Sequence, residues 1–407
     1  MSNTAAMNGL LVNSYYIDII SNNVANASTI GYKSSTPIFF DIYSNANYLT
    51  NNQGSGVGIS DVMQNFNNGV FIETGRDLDL AIIEQGFFRL LDPKGYVRYT
   101  KNGQFLLDND NNIVNTEGMY LTGINKFISN DNVNTISGIE PINIKHADIL
   151  DGRKTSEIKM HGILNMNASP IPNNANQFFN RSSSKDYIID IYDKNQQKQQ
   201  LNIIFSKIDE KKWKVNIESG TDVIKEDIKD TNNHFEIEFD SNGEIISSKK
   251  ITINPKILKG DSITLDLTDI TAKPNVESGL EKPDQDGYPI GFLKVFNILS
   301  NGEIIGTYSN EKTQSIGQIL LSNFKNPEKL QRESGSTWSV TSESGSEKIG
   351  VAGNIGFGMI NKKILEGSNV DLNKELLNMI IAQRNYQSNA QSFKAEDRLV
   401  STLINLK

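Results

Sequence analysis

The 407-residue sequence contains no cysteine. Disulfides, thiolate metal sites, iron–sulfur ligation and a cysteine nucleophile are excluded together, and the redox compartment stays open. Histidine occurs only at His146, His161 and His234, at none of the spacings that set two imidazoles on one helix face, so no histidine-based metal or catalytic centre is expected. Positive charge is not in excess: 40 Lys and Arg against 48 Asp and Glu give a formal net charge of −8. That balance argues against a surface built for nucleic-acid phosphates and against a basic membrane-binding patch. No apolar run approaches the roughly 18 residues of a membrane span. Met1 to Val12 carries no Lys or Arg to begin a secretory signal, and Asp18 and several Asn interrupt the apolar positions beyond. If exported, the protein is expected to leave by a route that spares its end, without a cleaved signal peptide.

What is present is length and pattern. A chain of 407 residues allows two or three domains. From about Asn3 to Ala27, the residues Ala6, Leu10, Ile17, Ile20, Val24 and Ala27 recur at three- and four-residue steps, with Asn13 as a polar exception, which predicts a helix with one apolar stripe. The polar cluster Asn26–Thr29 and Gly31 mark its end. Tyr32 to Gly69 shows no helical period and is punctuated by Gly54, Gly56 and Gly58, so it reads as an extended, flexible linker with short strands.

From Val70 the period becomes two. Asp92-Pro93-Lys94-Gly95 has type I turn chemistry, and Asn102-Gly103 between Tyr96–Lys101 and Gln104–Leu107 predicts a hairpin. Asn68-Gly69, Asn242-Gly243 and Asn301-Gly302 extend the series of expected turns. Lys185–Asp193, Leu201–Ser206 and Lys212–Ile217 read as strands of a separate β domain, bounded near His146 and near Asp286. Ile290–Leu299 and Glu303–Tyr308 return the chain to the first β region.

The C-terminal segment is helical again. Leu372, Leu376, Met379, Gln383, Tyr386, Ala390, Phe393, Asp397, Val400 and Ile404 form a seam at four-three steps, behind a capping-box pattern at Ser368-Asn369-Val370-Asp371. Such a seam cannot be buried by its own helix, and the other chain end offers a partner. The expected fold is mainly β with long terminal α-helices, nested and multi-domain. Residues 1–30 and 364–407 would form a terminal coiled coil, 31–70 a linker, 71–145 with 286–363 a discontinuous inner β domain, and 146–285 an inserted outer β domain. Head-to-tail copies would cover the apolar surface left over and give rings or helical assemblies; an intramolecular coiled coil in a monomer fits the spacing equally.

Asn22-Asn23-Val24-Ala25-Asn26, followed by Thr29 and Gly31-Tyr32-Lys33, resembles the N-terminal signature of the bacterial flagellar rod and hook axial proteins. Ser368-Asn369-Val370-Asp371-Leu372 and Asn378 to Ala390 resemble the C-terminal signature. Gln85-Gly86-Phe87-Phe88, Tyr99 to Phe105 and Tyr308-Ser309-Asn310 resemble hook segments, and the chain's length and inserted domain resemble the hook member more than the shorter rod members. The resemblance implies a structural, non-enzymatic subunit of a curved tube that joins the motor's rod to the filament and transmits torque while bending. It implies a helical homopolymer, contacts with rod proteins, a hook cap and hook–filament junction proteins, and passage through the flagellar type III export apparatus. It also implies that assembly residues lie among Asn22, Asn23, Asn26, Gly31, Tyr32, Lys33, Ser368, Asn369, Leu372, Leu376, Met379, Gln383, Tyr386, Ala390 and Phe393. The alternatives are a distal-rod or other hook-like axial protein, and a secreted adhesive or carbohydrate-binding β protein.

Other constellations carry little. Asp108 to Asn112 imitates an EF-hand start, but Ile113 replaces the required Gly and Met119 the bidentate Glu, so a polar hairpin turn is expected. Gly54-Ser55-Gly56-Val57-Gly58 precedes no helix and no Gly-Lys-Ser/Thr, which excludes a phosphate loop. Asp77 and Asp79 have no His nearby in sequence, Trp213 and Trp338 read as β-core anchors, and Gln383 and Asp397 either fix register or face solvent. No catalytic residue, cofactor or metal is assigned.

Overall fold

The computed structural model describes residues 2–43, 54–128, 134–136, 138–170, 184–219, 234–253 and 262–405. The chain is mainly β, with one long helix at each end, as expected. It forms two compact units, one of Met1–Asp148, Val295–Thr307 and Thr313–Lys407, the other of Ile149–Lys294 and Tyr308–Lys312.

In the first unit, helix α1 (Ser2–Ala25) packs on helix α2 (Leu372–Asn405). Their 24 and 34 residues make α2 the longer rod, about 50 Å at the α-helical rise. The pair is antiparallel: Gly9 sits where an added Cβ would lie 2.8 Å from the Asn389 amide. Asn23, at the other end of α1, lies beside the Glu375 carboxylate. Asp371 caps α2, its carboxylate accepting the Lys374 amide at 3.2 Å and its carbonyl the Glu375 amide at 2.9 Å. The cap is therefore Asp371 and not Ser368, whose Oγ only accepts from the Val370 amide at 3.3 Å.

The segment read as a linker is a long antiparallel hairpin, β1 (Ser35–Tyr43) and β2 (Gly54–Gln64), of nine and eleven residues. The hairpin packs against α1: Asn8 Nδ2 donates to Ser55 O at 2.9 Å, and Tyr16 meets Phe39 edge-on at 5.6 Å. Gly56, at φ +103°, would place a Cβ 3.0 Å from Ala5 Cα. The glycine serves close approach of helix to hairpin here, not looseness.

The inner sheet runs in the order Glu303–Tyr308, Thr313–Asn323, Tyr120–Ile128, Phe87–Leu91, Val97–Thr100, Thr337–Ser339 and Gln331–Glu333, all neighbours antiparallel. Phe87, Tyr99, Phe324, Leu330 and Trp338 form an aromatic core with Phe66 against it. Trp338, fully buried, donates its indole N–H to Gln64 Oε1 at 2.6 Å, so the end of β2 is pinned into that core. The Asp92–Gly95 turn joins Phe87–Leu91 to Val97–Thr100, with Gly95 N on Asp92 O at 2.8 Å. Asn102-Gly103 is not the expected hairpin turn. Val97–Thr100 pairs with its preceding and a distant strand, Phe105–Leu107 pairs with Ile113–Asn115, and Gly103 O instead accepts Leu80 N. Asn68-Gly69 makes no hairpin either, while Asn242-Gly243 and Asn301-Gly302 do turn, with Gly243 and Gly302 at positive φ. Asp108 closes the polar turn before Ile113: Asn112 Nδ2 donates to its Oδ2 at 2.9 Å, and the Asn112 and Asp110 amides donate to its Oδ1 at 2.8 and 2.9 Å. These hydrogen bonds, the Asn112 side chain's foremost, hold its carboxyl below the usual range against the opposing effect of burial.

The second unit is two packed sheets. Ser184–Tyr192, Lys198–Lys207, Lys212–Ser219 and His234–Glu238 make an antiparallel meander, matching the strands expected there. The facing sheet is built on Glu157–Asn165 and Ile263–Lys273, which run parallel. Residues from both sheets, including Ile203, Phe205, Trp213, Ile158, Leu265 and Ile270, share one core.

Candidate functional site: where the chain ends are tied together

The chain leaves α1 through turns at Asn26 and Thr29, where Thr29 Oγ1 donates to Asn26 Oδ1 at 3.1 Å. Gly31 then takes φ +71°, and a Cβ there would lie 2.6 Å from the Asn102 backbone nitrogen. Its amide donates to Glu366 O at 2.8 Å, the first link from one chain end to the other. Tyr32 OH donates to Asn23 Oδ1 at 3.2 Å. Asn23, itself buried, also accepts Ser35 N and donates to Ser35 O at 3.0 and 2.8 Å. One amide thereby fixes the exit of α1, the tyrosine and the start of β1.

Lys33 and Glu366 form a salt bridge at 2.7 Å with both side chains fully buried. They are 333 positions apart in sequence. Lys33 Nζ also donates to Asn67 O at 2.8 Å, and the same Glu366 oxygen accepts Gly69 N at 2.9 Å. The second Glu366 oxygen is buried and has no hydrogen-bond partner among the described residues. Burial pushes the Lys33 ammonium below the usual lysine range, and the Glu366 charge opposes that shift. Lys101 lies nearby, buried, donating to Glu84 O at 2.8 Å, and burial lowers it to about 8. Asn369 completes the tie: Oδ1 accepts Ser34 N at 2.8 Å, and Nδ2 donates to Asn65 O and Asn67 O at 2.7 and 3.0 Å. The site's chemistry is mechanical, since hydrogen bonds and one ion pair hold both helix roots to the β1/β2 hairpin and to each other.

Asn23, Gly31, Tyr32, Lys33 and Asn369 thus converge, whereas Asn22 and Asn26 line an adjoining cleft, and Ser368 only supports its own turn. On α2 the residues in contact with α1 include Glu375 and Asn389, and Ala382, midway between them, is fully buried. This row lies to one side of the apolar seam. Met379, Ala390 and Phe393 are half-buried, but Leu372, Leu376, Gln383 and Tyr386 are exposed. Small residues and amides permit the close contact, and Leu372, Leu376 and Tyr386 are left facing outward. Glu366, Lys101 and Gln64 belong to the site without standing in any of the motifs at the two chain ends. The signal for Glu366 was a lone acid between Leu365 and Gly367 directly before the C-terminal motif.

Among the described residues, no three His, Asp or Glu side chains are grouped to hold a metal ion, and no helix is long and apolar enough to cross a membrane.

Known proteins match this architecture from end to end. Residues 4–33 match the family model described as flagella basal body rod protein, and 362–406 match the flagellar basal body rod FlgEFG protein C-terminal model. Between them, 81–165 match the flagellar hook protein FlgE/F/G D1 domain, and 164–288 the flagellar basal body protein FlaE D2 domain. These models define the class as axial proteins of the flagellum. The chain is 34% identical over 415 residues to the flagellar hook protein FlgE of Salmonella typhimurium strain LT2, and 35% over 420 residues to that of Escherichia coli K12, covering all of each. FlgE of Borreliella burgdorferi is 27% identical over 448 residues, spanning 99% of this chain and 98% of its own. The chain belongs to the flagellar hook protein family. The crystal structure of Helicobacter pylori FlgE2 shares the fold, with a TM-score of 0.56 at 15% identity over 72% of this chain and 100% of that one. The protein is a structural subunit of the flagellar hook, self-associating and joined to other flagellar components.

Proposed function

We propose that this subunit polymerises through its paired terminal helices into a flexible, curved tube that couples the motor rod to the filament and transmits torque. The observation that carries the reading is an uncovered apolar surface on that pair. Met7, Leu11 and Tyr15 on α1, four residues apart, and Leu372, Leu376 and Ile380 on α2, likewise spaced, are all more than two-fifths exposed. A seam of this kind on a rod about 50 Å long is costly to leave in water and is removed by neighbouring copies.

The domain plan belongs to the same proposal: terminal helices at 1–30 and 364–407, a connecting segment at 31–70, an inner β domain of 71–145 with 286–363, and an outer β domain at 146–285. The matched families at 81–165 and 164–288 support it, as does the compact second unit. The buried tie at Lys33, Glu366 and Asn369 makes the helix roots stiff, and the fifteen proposed assembly residues act in that tie, in its flanking cleft and turn at Asn22, Asn26 and Ser368, or on the α2 seam. Rod proteins, a hook cap, junction proteins and the type III export apparatus are the proposed partners, and the place of work is the hook outside the cell. Negative-stain microscopy of the full-length protein in a precipitating salt tests this. Curved tubes from the wild type, with none from Leu376→Asp at unchanged helicity, are expected. Wild-type protein that stays monomeric throughout would sink the reading.

A further inference from the structure

We infer that the cleft beside the root of α1 is a receptor for a carboxylate side chain of a second copy of this chain, with Arg332 as the recognising cation. The inference rests on the assembly reading above and adds a specific polar contact to it. The cleft has a volume of about 480 Å³ and is lined by Tyr15, Asn22, Asn26, Thr29, Tyr32 and Arg332, among others. Arg332 stands on the strand Gln331–Glu333, its guanidinium 4.0 Å from the centre of the Tyr32 ring. That ring is held by its hydroxyl on Asn23. A stacked guanidinium loses rotamer freedom in advance and keeps its planar N–H edge available, which is the arrangement that favours two-point carboxylate binding.

Among the described residues Arg332 has no ion-pair or side-chain hydrogen-bond partner, although an acid is next to it. Glu333 also lines the cleft, but Ser339 Oγ at 3.0 Å and Arg98 at 3.5 Å hold its carboxylate by Oε1, and it makes no ion pair with Arg332. The Asn22 side chain likewise has no hydrogen-bond partner among the described residues, so a free amide lines the same cleft as the cation. Tyr15 belongs both to this cleft and to the exposed stripe Met7, Leu11, Tyr15. A neighbour that covers the stripe is thereby brought to the cleft mouth, and a chain with 48 acids against 40 Lys and Arg has carboxylates to present. The contact would fix register along the apolar seam, which by itself tolerates sliding.

The test compares full-length wild type, Arg332→Gln and Arg332→Lys. Critical concentration is measured by sedimentation, and melting temperature on the monomers. Arg332→Gln is expected to melt with the wild type and to raise the critical concentration by about tenfold or more, the scale of one lost charge-assisted hydrogen-bond pair. Arg332→Lys polymer, made from mixed isotope-labelled and unlabelled copies and treated with a carbodiimide, is expected to yield an amide crosslink from position 332 to an Asp or Glu of another copy. Polymerisation of Arg332→Gln at the wild-type concentration, or a crosslink only within one copy, overturns the receptor while leaving the assembly reading intact. Failure of the wild type to polymerise overturns both.

Discussion

Lys33 and Glu366 show what a single charge can be asked to do in an interior. Two ions brought out of water gain little over a well-packed apolar pair, but removing one partner leaves the other buried and uncompensated. Lys33→Met is therefore expected to cost about 3–5 kcal/mol in urea denaturation, with Glu366 left on the Gly69 amide alone. Lys33→Met with Glu366→Leu should recover most of that loss, and equal destabilisation by the double variant would refute the pairing as its cause. Lys101 makes a different prediction. Its folded value of about 8 lies below the ordinary 10.5, so between those pH values the unfolded chain binds more protons than the native one. Stability therefore rises with pH across that window, by at most about 1.4 kcal/mol per pH unit from this group. Lys33, shifted in the same direction, adds to the rise, whereas Tyr99, pushed up chiefly by burial, removes stability only above its ordinary value of 10.0. Lys101→Met should flatten the profile between pH 8 and 10 relative to wild type, measured by chemical denaturation at each pH; superimposable profiles would show that Lys101 is not the titrating cation.

At the scale of elements, legibility followed the range of the interaction that decides each one. The helices at both ends, the Asp92–Gly95 turn and the meander strands near 185–219 were readable because period and turn chemistry are local. Asn102-Gly103 was not, since Leu80, more than twenty positions away, takes the Gly103 carbonyl and no strand partner lies across the turn. The glycines at 54–58 read as looseness in sequence because nothing in their neighbourhood announces that Ala5 presses on Gly56. Of the candidate site, the residues near Asn23 and Asn369 could be named from motif, but their partners Glu366, Asn65 and Asn67 could not, as each is chosen by tertiary packing. The α2 cap is a local case that was misplaced by three residues, because Ser and Asp both satisfy the pattern. Asp371→Ala is expected to lower stability by about 1 kcal/mol through loss of the Lys374 amide contact. Ser368→Ala should change it by a few tenths at most, and thermal melts showing the reverse order would return the cap to Ser368.

For the whole molecule, the mismatch between the expected seam and the observed helix contact is the informative feature. Helix pairing uses Gly9, Ala382 and the amides of Asn389 and Asn23, while Leu372, Leu376 and Tyr386 stay outside. A monomeric coiled coil would bury the large residues and expose the small ones, so this partition suits a subunit whose best apolar surface is kept for its neighbours. The two faces should separate experimentally. Gly9→Leu drives a side chain into Asn389 at the close contact, where an added Cβ already lies at 2.8 Å. It is expected to part the helices, lower the monomer's helicity by circular dichroism, and impair polymerisation as a consequence. Tyr386→Ser, on the outward face, should leave monomer helicity and melting unchanged and raise the critical concentration alone. If Tyr386→Ser instead destabilised the monomer and left polymerisation untouched, the outward seam would be an internal packing surface, and the assembly contact would have to lie elsewhere on the chain.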